Sequence, residues 1–250
     1  MDFFGNTDIG RKRSKNQDCF SVTQIGQRAL LCAVFDGMGG HAGGETASGI
    51  ARDRFCSVVC DALSPKLDEI TQTIDATKMQ ILNVMQKAVA IANTAVFEAA
   101  QESDELRGMG TTLAAVLVNG PDVYGINIGD SRIYIVTDKI KQLSHDHSYV
   151  QYLVDIGEIT EEEAKSNANK SIITRAVGTS ESIEGDTFRC DCDKAAIMLC
   201  SDGLTNHIDD ALIFDIISQS DSAKAAVDVL IDTANENGGT DNITCIVINA

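Results

Sequence analysis

The chain has 250 residues, of which 44% are hydrophobic and 5% aromatic, and it contains no Trp. A chain of this size can bury a substantial core, which aliphatic side chains must dominate. Its formal net charge of −17 argues against binding to nucleic acid or to an anionic membrane surface, because both need clustered Lys and Arg. The excess of acidic residues favours solubility or selection of a basic partner.

The N-terminal residues MDFFGNTDIGRKR lack the apolar stretch of a signal peptide, and no run of about 18 apolar residues predicts a transmembrane helix. The eight cysteines include no C-x-x-C pair, and Cys19, Cys32, Cys200 and Cys245 lie in strand-like apolar runs. We interpret them as reduced, mostly buried thiols rather than disulfides or zinc ligands. These features predict a cytoplasmic protein, which we expect to be a monomer.

The predicted elements fall into groups of strands and separate groups of helices. Apolar runs predict strands, in chain order, at 28–35, 112–118, 123–128, 132–137, 195–200 and 242–248. Apolar residues three and four positions apart predict helices at about 44–59, 82–96 and 223–234. No repeat or linker-like segment interrupts the chain, so we predict a single domain over residues 1–250. A polar stretch at 145–170, with helical patches at 149–156 and 160–165, is predicted to leave the sheets as a flap.

Two connections between predicted strands are very short. They are the segments 119–122 (NGPD) and 129–131 (GDS), and neither leaves room for a crossover helix. Both therefore favour antiparallel pairing and an α+β fold rather than a doubly wound parallel sheet. Buried strands with helices outside them predict two stacked, mainly antiparallel sheets flanked by helices.

Acidic residues lie at the ends of the predicted buried strands. Asp36, Asp130 and Asp202 follow apolar runs, each beside a Gly that allows a sharp turn. Asp241 instead precedes the last strand, whose start lies at the same edge if that strand runs antiparallel to its neighbours. An Asp-Gly pair is by itself a common turn signal. The whole set, however, predicts carboxylates that converge on one rim.

Converging carboxylates raise one another's pKa unless a cation lies between them. Carboxylate oxygens favour the hard ions Mg²⁺, Mn²⁺ or Ca²⁺ over Zn²⁺. Two such ions about 3.5–4 Å apart would acidify a shared water and orient it for in-line attack on phosphorus. The chain has no cysteine-phosphatase loop, no G-x-x-x-x-G-K-[ST] segment and no EF-hand spacing, so these other phosphate or calcium chemistries are not predicted.

Eight groups of short segments support this interpretation. They are TDIG (7–10) with Arg13 and NQD (16–18), FDGMGGH (35–41) with GE (44–45) and AS (47–48), MGTTL (109–113), NIGDSR (127–132), LS (143–144) with DHS (146–148), ITRAVG (173–178), SDGL (201–204) and GTDNIT (239–244). In this order, and over nearly the whole chain, they resemble the type 2C protein phosphatases, the metal-dependent PPM family in its bacterial form.

The resemblance implies a four-layer αββα sandwich with two Mn²⁺ or Mg²⁺ ions at one rim. Asp36 would bridge the two ions, and the carbonyl of Gly37 would bind one of them. Asp202 and Asp241 would complete the shell of the other ion. Asp130, together with Asp202, would hold a third ion.

The resemblance also implies residues that act on the substrate. Arg13 would clamp the phosphate with its planar guanidinium. Asp18 would bind a metal or a metal-bound water, and Gln17 replaces the Glu that many members have beside it. Met38 stands where the animal enzymes have a proton-donating His. His41 is a candidate donor to the leaving oxygen, and a metal-bound water is the alternative.

The activity that the resemblance implies is hydrolysis of phosphoserine and phosphothreonine on proteins, reversing a serine/threonine kinase. Two alternatives stay open: a phosphatase-like module that binds phosphoproteins without turnover, and a metal-dependent hydrolase of small phosphoesters. The first alternative predicts loss of a metal carboxylate, whereas this chain retains Asp36, Asp202 and Asp241.

Overall fold

The computed structural model describes residues 1–39 and 43–249. Over those ranges the strands are β1 Asp2–Asp8, β2 Asp18–Gly26, β3 Ala29–Met38, β4 Gly110–Thr111, β5 Leu113–Asn119, β6 Asp122–Ile128, β7 Arg132–Val136, β8 Ile140–Gln142, β9 Asp186–Asp191, β10 Ala196–Cys200 and β11 Ile243–Asn249. The α-helices there are α1 Gly43–Leu63, α2 Lys78–Glu102, α3 Tyr149–Asp155, α4 Glu161–Lys165, α5 Asp202–Thr205, α6 Asp210–Gln219 and α7 Ala223–Glu236. Each strand and helix that the sequence predicts is present, with ends shifted by a few residues.

The strands form two antiparallel sheets. Within the described residues, one sheet has the order β1-β11-β10-β7-β8, and the other has the order β2-β3-β5-β6-β9, with β4 pairing with β3. Neighbouring strands pair antiparallel in both sheets. The predicted α+β class is therefore confirmed, and the 119–122 connection is the predicted hairpin between β5 and β6.

Three hydrophobic layers hold the sheets and helices together. Alternate residues of β3 face opposite ways, as the period of a strand requires. Phe35 packs on the helical side, where its ring meets Phe55 of α1 edge-on with centroids 6.3 Å apart. Cys32 and Val34 instead face the other sheet. The outer face of that sheet packs on α6 and α7. The order helices, sheet, sheet, helices is the predicted αββα sandwich.

The 129–131 connection differs from the prediction. Strand β6 belongs to one sheet and β7 to the other, so this link carries the chain between the sheets rather than closing a hairpin. Gly129 has a φ of +97°, and a Cβ there would lie 2.6 Å from Cγ2 of Thr112, so only Gly fits. The shortness of a connection excludes a crossover helix but does not distinguish a hairpin from a step between stacked sheets.

The sequence did not predict β1, β2, β4, β8 or β9. Four of these, β1, β8, β2 and β9, are the outer strands of the two sheets within the described ranges. They are mostly half-buried or exposed. An edge strand covers the core with one face and pairs on one side, so it lacks the continuous apolar run of a central strand.

The flap, residues 145–170, contains α3 and α4, neither of which has a buried residue. Ser148 caps α3 by accepting a hydrogen bond from the Gln151 N–H, and Thr160 forms a capping box with Glu163 at the start of α4. At the base, Ser148 pairs with Ile173 in an antiparallel bridge. Local capping, rather than core packing, therefore holds the flap helices.

The remaining fold-level predictions concern the membrane, the cysteines and the number of domains. Over the part of the chain that the structure describes, no helix combines the length and the apolarity needed to cross a bilayer. All eight cysteines are free, and Cys32, Cys192, Cys200 and Cys245 are buried. The assignment of a single domain stays a prediction.

Candidate metal centre and phosphate site

The rim cluster, as we call it, consists of five aspartates: Asp18, Asp36, Asp130, Asp202 and Asp241. Asp18 and Asp36 are direct cross-strand partners on β2 and β3. The pairing of β10 with β11 places the end of β10, just before Asp202, beside the start of β11, just after Asp241. The link between the sheets carries Asp130 toward the same edge, where its charge acts on Asp36.

The members of the rim cluster interact electrostatically. Loss of water contacts raises the pKa of Asp36 well above its usual value, and the charges of the other four members raise it further. Burial also raises the pKa of Asp130, with the charge of Asp202 adding to it. For Asp202, burial and the charge of Asp241 raise the pKa, whereas a hydrogen bond with Asp36 lowers it. Carboxylates this close favour a shared proton or a bound cation.

Asp18 joins the two sheets. Its Oδ2 accepts hydrogen bonds of 2.7 Å from Ser201 Oγ, just after β10, and from Thr244 Oγ1 in β11. Its Oδ1 is buried and has no hydrogen-bond partner. Burial raises the pKa of this carboxyl to about 7, against the opposing effect of the two hydroxyls. An unpaired buried carboxylate oxygen is costly, so Oδ1 is the atom that a cation or a water would satisfy.

Two threonines hold the strand end that carries Asp36. The Asp36 N–H donates to Thr112 Oγ1 at 2.9 Å, and its carbonyl accepts from Thr111 Oγ1 and from the Thr112 N–H, both at 2.9 Å. Gly37 follows in a space without room for a side chain, since a Cβ would lie 2.1 Å from the Gly44 carbonyl oxygen. This packing fixes the backbone whose carbonyl is the candidate ligand.

Asp130 is 7% exposed, and its Oδ1, like that of Asp18, is buried without a partner. The next residue, Ser131, shares a 2.7 Å hydrogen bond with Thr112, which also accepts the Asp36 N–H. Thr112 therefore connects the residue next to Asp130 with the backbone of Asp36 through hydrogen bonds of one side chain.

Arg13 reaches the rim cluster from the loop before β2. Its half-exposed guanidinium donates from Nη2 to Asp241 Oδ2 at 2.7 Å. This hydrogen bond raises the pKa of Arg13, and the charges of Asp36 and Asp202 act in the same direction. A guanidinium has several N–H donors in a planar fork, so one contact to Asp241 leaves others for phosphate oxygens.

The residues present suit a hard divalent ion, because their donors are carboxylate and carbonyl oxygens and two buried carboxylate oxygens are unpaired. Among residues 1–39 and 43–249, no three acidic, His or Cys side chains by themselves surround one point as a ligand set. Mg²⁺ does not require such a set, because it usually keeps several waters and binds only one or two carboxylates. Asp36, Gly37, Asp202 and Asp241 are the candidates for two ions, and Asp130 for a third.

A groove of about 860 Å³ opens beside the rim cluster. Asp130 and Asp202 lie along it, flap side chains between positions 148 and 170 form one wall, and residues 205–211 form another. The groove thus joins the candidate metal centre to the flap.

The four histidines have different positions. His41, the candidate proton donor, lies outside the described residues. His145 is exposed, and its ring bonds Asp155 at 2.8 Å. His207 bonds the side chain and backbone of Thr240. His147 is buried and contacts the link that carries Asp130.

Sequence reasoning gave no individual role to four residues that hold the site: Thr112, Ser201, Asn242 and Thr244. Asn242 accepts the Gln17 N–H and donates to the carbonyls of Ile9 and Lys15, so it fastens the loop that bears Arg13. All four lie within the segments that resemble the family. For Ser201 and Asn242 the available signal was a small polar residue beside an aspartate at one end of an apolar strand. Thr112 and Thr244 have no acidic neighbour in the sequence, so no such signal marked them.

Comparison with known proteins places this geometry in a family. The sequence model described as Protein phosphatase 2C matches residues 8–246. The serine/threonine phosphatase Stp of Listeria innocua is 35% identical over 244 residues, which cover 97% of this chain and 93% of the relative. The crystal structure of serine/threonine phosphatase Stp1 from Staphylococcus aureus has a TM-score of 0.88 and 31% identity, covering 99% of this chain and 94% of that one. The catalytic domain of PstP in complex with two manganese ions has a TM-score of 0.81 and 33% identity, covering 98% and 96%. The chain therefore belongs to the protein phosphatase 2C family.

Proposed function

We propose that this chain is a protein-serine/threonine phosphatase that hydrolyses phosphoserine and phosphothreonine, with the rim cluster as its metal centre. The observation that carries the proposal is the convergence of five aspartates whose charges oppose one another and two of which keep an unpaired buried oxygen. The substrate class is supported by relatives named as serine/threonine phosphatases.

In this proposal two Mn²⁺ or Mg²⁺ ions bind at the rim cluster, in keeping with the manganese complex of PstP. Asp36 would contact both ions, the Gly37 carbonyl one of them, and Asp202 and Asp241 the other. Asp130 and Asp202 would hold a third. When bound, such ions acidify water and stabilise the negative charge of the phosphoryl group in transfer.

Two residues of the chain act on the substrate in this proposal. Arg13 binds phosphate oxygens through its free N–H groups and orients the phosphorus. Asp18 would bind a metal ion or a metal-bound water through its unpaired, buried Oδ1. His41 stays the candidate donor to the leaving oxygen.

The proposal extends to the setting in which the chain acts. We propose a single-domain monomer in the cytoplasm that removes phosphate placed by a serine/threonine kinase. Eight free cysteines support a reducing compartment. The net charge of −17 supports substrates with basic residues around the phosphorylated side chain rather than nucleic acid. The groove beside the flap offers such a polypeptide an adjoining surface.

The test is Mn²⁺-dependent release of phosphate from a phosphothreonine peptide, with EDTA as the control. We expect turnover that EDTA abolishes. Binding of the peptide without hydrolysis would refute the proposal and favour the idle binding module. Hydrolysis of a small aryl phosphate without hydrolysis of the peptide would favour the small-phosphoester alternative.

A further inference from the structure

His147 holds the backbone that precedes Asp130. Its ring is almost fully buried, with 2% of the side chain exposed. Nδ1 accepts a hydrogen bond of 3.0 Å from the Gly129 N–H, and the His147 backbone N–H donates to the Gly129 carbonyl at 2.9 Å. Both polar backbone groups of Gly129 are therefore bound to one residue.

The contact with Gly129 decides which ring nitrogen carries the proton. A backbone N–H can only donate, so Nδ1 must be unprotonated. In the neutral ring the proton is then on Nε2, which lies 3.2 Å from Asp186 Oδ2. Asp186 is held in turn by two hydrogen bonds from Arg175. A carboxylate that orients a histidine in this way fixes both its tautomer and its ring plane.

His147 also joins the two ends of the flap. Its carbonyl accepts the Thr174 N–H at 2.8 Å, and the following residue, Ser148, pairs with Ile173. The residue that binds Gly129 thus also holds the start of the flap to the segment that follows the flap.

The link between the sheets depends on such contacts, because it lies between β6 of one sheet and β7 of the other. Apart from His147, the Gly129 carbonyl receives a longer hydrogen bond of 3.3 Å from Asn127 Nδ2. Asp130 follows directly, with its Oδ1 buried and unpaired. A shift of Gly129 would therefore move that oxygen.

We propose that His147 is a positioning residue for Asp130: its unprotonated Nδ1 and its backbone N–H clamp Gly129, and the clamp sets the carboxylate for a divalent ion. The inference rests on the proposed function, in which Asp130 holds such an ion. It assigns the buried imidazole no proton transfer to the substrate.

Two variants of His147 separate the clamp from simple burial. In His147→Asn, the side-chain oxygen takes the place of Nδ1 and can still accept the Gly129 N–H. In His147→Gln, the longer side chain reaches toward Asp186 and leaves the Gly129 N–H without its acceptor, whereas the backbone hydrogen bond to the Gly129 carbonyl is retained. His145→Asn is the matched control in the same segment, since that ring bonds Asp155 instead.

Two measurements on these proteins need no turnover. Hydrogen exchange of the Gly129 amide, followed by NMR without metal, should be about tenfold faster or more in His147→Gln and close to wild type in the other two variants. In calorimetric titration with Mn²⁺, Asp130→Ala should lose a binding site. His147→Gln should weaken that site about tenfold or more, and His147→Asn should retain it.

Equal Gly129 exchange in the Asn and Gln variants would overturn the proposal, as would equal Mn²⁺ affinity in the two. A Mn²⁺ titration unchanged by Asp130→Ala would overturn it as well. If His147→Gln does not fold, nitrogen NMR of the wild-type ring decides, because a proton on Nδ1 contradicts the clamp and a proton on Nε2 supports it. Failure of the phosphatase proposal would appear separately, in the phosphopeptide assay.

Discussion

The rim cluster and the flap lie side by side along one groove, but they are built in opposite ways. In the rim cluster, Asp18 and Asp130 are buried, and two hydroxyls at the edge of the opposite sheet fix Asp18. In the flap, helices α3 and α4 bury no residue, and Tyr152 and Ile156 are more than half exposed. Buried, hydrogen-bonded groups keep one geometry, whereas exposed, locally capped segments open and change at little cost in stability. We interpret the rim cluster as the place where the phosphate ester is hydrolysed and the flap as the surface that discriminates among substrates.

The largest effect should come from removing the central carboxylate of the rim cluster. Asp36→Ala should lower kcat on a phosphothreonine peptide by about 1,000-fold or more. Charge stabilisation by bound ions is worth several kcal/mol, and about 1.4 kcal/mol is a factor of ten. Phosphate release at saturating Mn²⁺ measures this. Asp53→Ala, exposed on α1, is the matched control and should keep the wild-type rate. A loss below about tenfold would place the chemistry elsewhere.

Asp18→Asn should reveal the cost of burying charge at the rim. The pKa of Asp18 is raised from 3.8 to about 7, so the folded protein binds this proton more tightly than the unfolded chain does. The stability that this group contributes is complete below its unfolded pKa and is lost as pH rises through the folded pKa. Asn imitates the protonated carboxyl and can accept the same hydroxyls.

In thermal denaturation with EDTA, Asp18→Asn should therefore melt several degrees above wild type at about pH 8 and close to it at about pH 5. Excess Mn²⁺ should stabilise wild type at the higher pH, since an ion that binds only the folded state raises its stability. The same gain from Asp18→Asn at both pH values would show that the effect is not electrostatic. Asp53→Asn, a substitution at an exposed position on α1, is the matched control.

Arg13→Ala should act on substrate binding more than on the chemical step. Loss of a charge-assisted hydrogen bond to phosphate should raise KM for the phosphopeptide about tenfold, with a smaller change in kcat. Saturating Mn²⁺ is needed, because Arg13 also bonds Asp241 and its loss could alter metal affinity. Arg107→Ala, an exposed arginine paired with Asp104, is the matched control. A normal KM in Arg13→Ala would contradict the phosphate-binding role.

The smallest effect should come from the flap. Tyr152→Ala should lower kcat/KM for the phosphopeptide by about two- to fivefold, the size of one exposed contact, and leave a small aryl phosphate unaffected. Exchanging the whole flap for that of a relative should change the preference among peptides in the same way. Equal losses of kcat/KM on the peptide and on the aryl phosphate would show that the flap supports catalysis itself. The proposed division of roles between the rim cluster and the flap would then be wrong.

Whether a strand was predicted from the sequence depends on how completely its residues are buried. The central strands β3, β5, β6, β10 and β11 are buried on both faces, so each appears as an apolar run and was predicted. The outer strands β1, β2, β8 and β9 divide their residues between core and solvent, and pairing with a neighbour, which no local pattern reports, decides their conformation. Antiparallel pairing across the 129–131 link was predicted wrongly for the same reason. The sequences of two successive strands do not show whether both belong to one sheet.

The sequence by itself predicted the residues of the candidate site, because Asp36, Asp130 and Asp202 follow an apolar strand and Asp241 precedes one, each in a recognisable segment. It also predicted the hard-ion chemistry, because carboxylates that converge on one rim favour a hard cation. Only the tertiary structure decided how the five aspartates interact. Asp18 accepts hydrogen bonds from Ser201 and Thr244 through one carboxylate oxygen, while its other oxygen stays unpaired. Asp130 follows Gly129, whose backbone His147 binds. These contacts join residues far apart in the chain, and their strength depends on burial and distance, which a linear pattern does not contain.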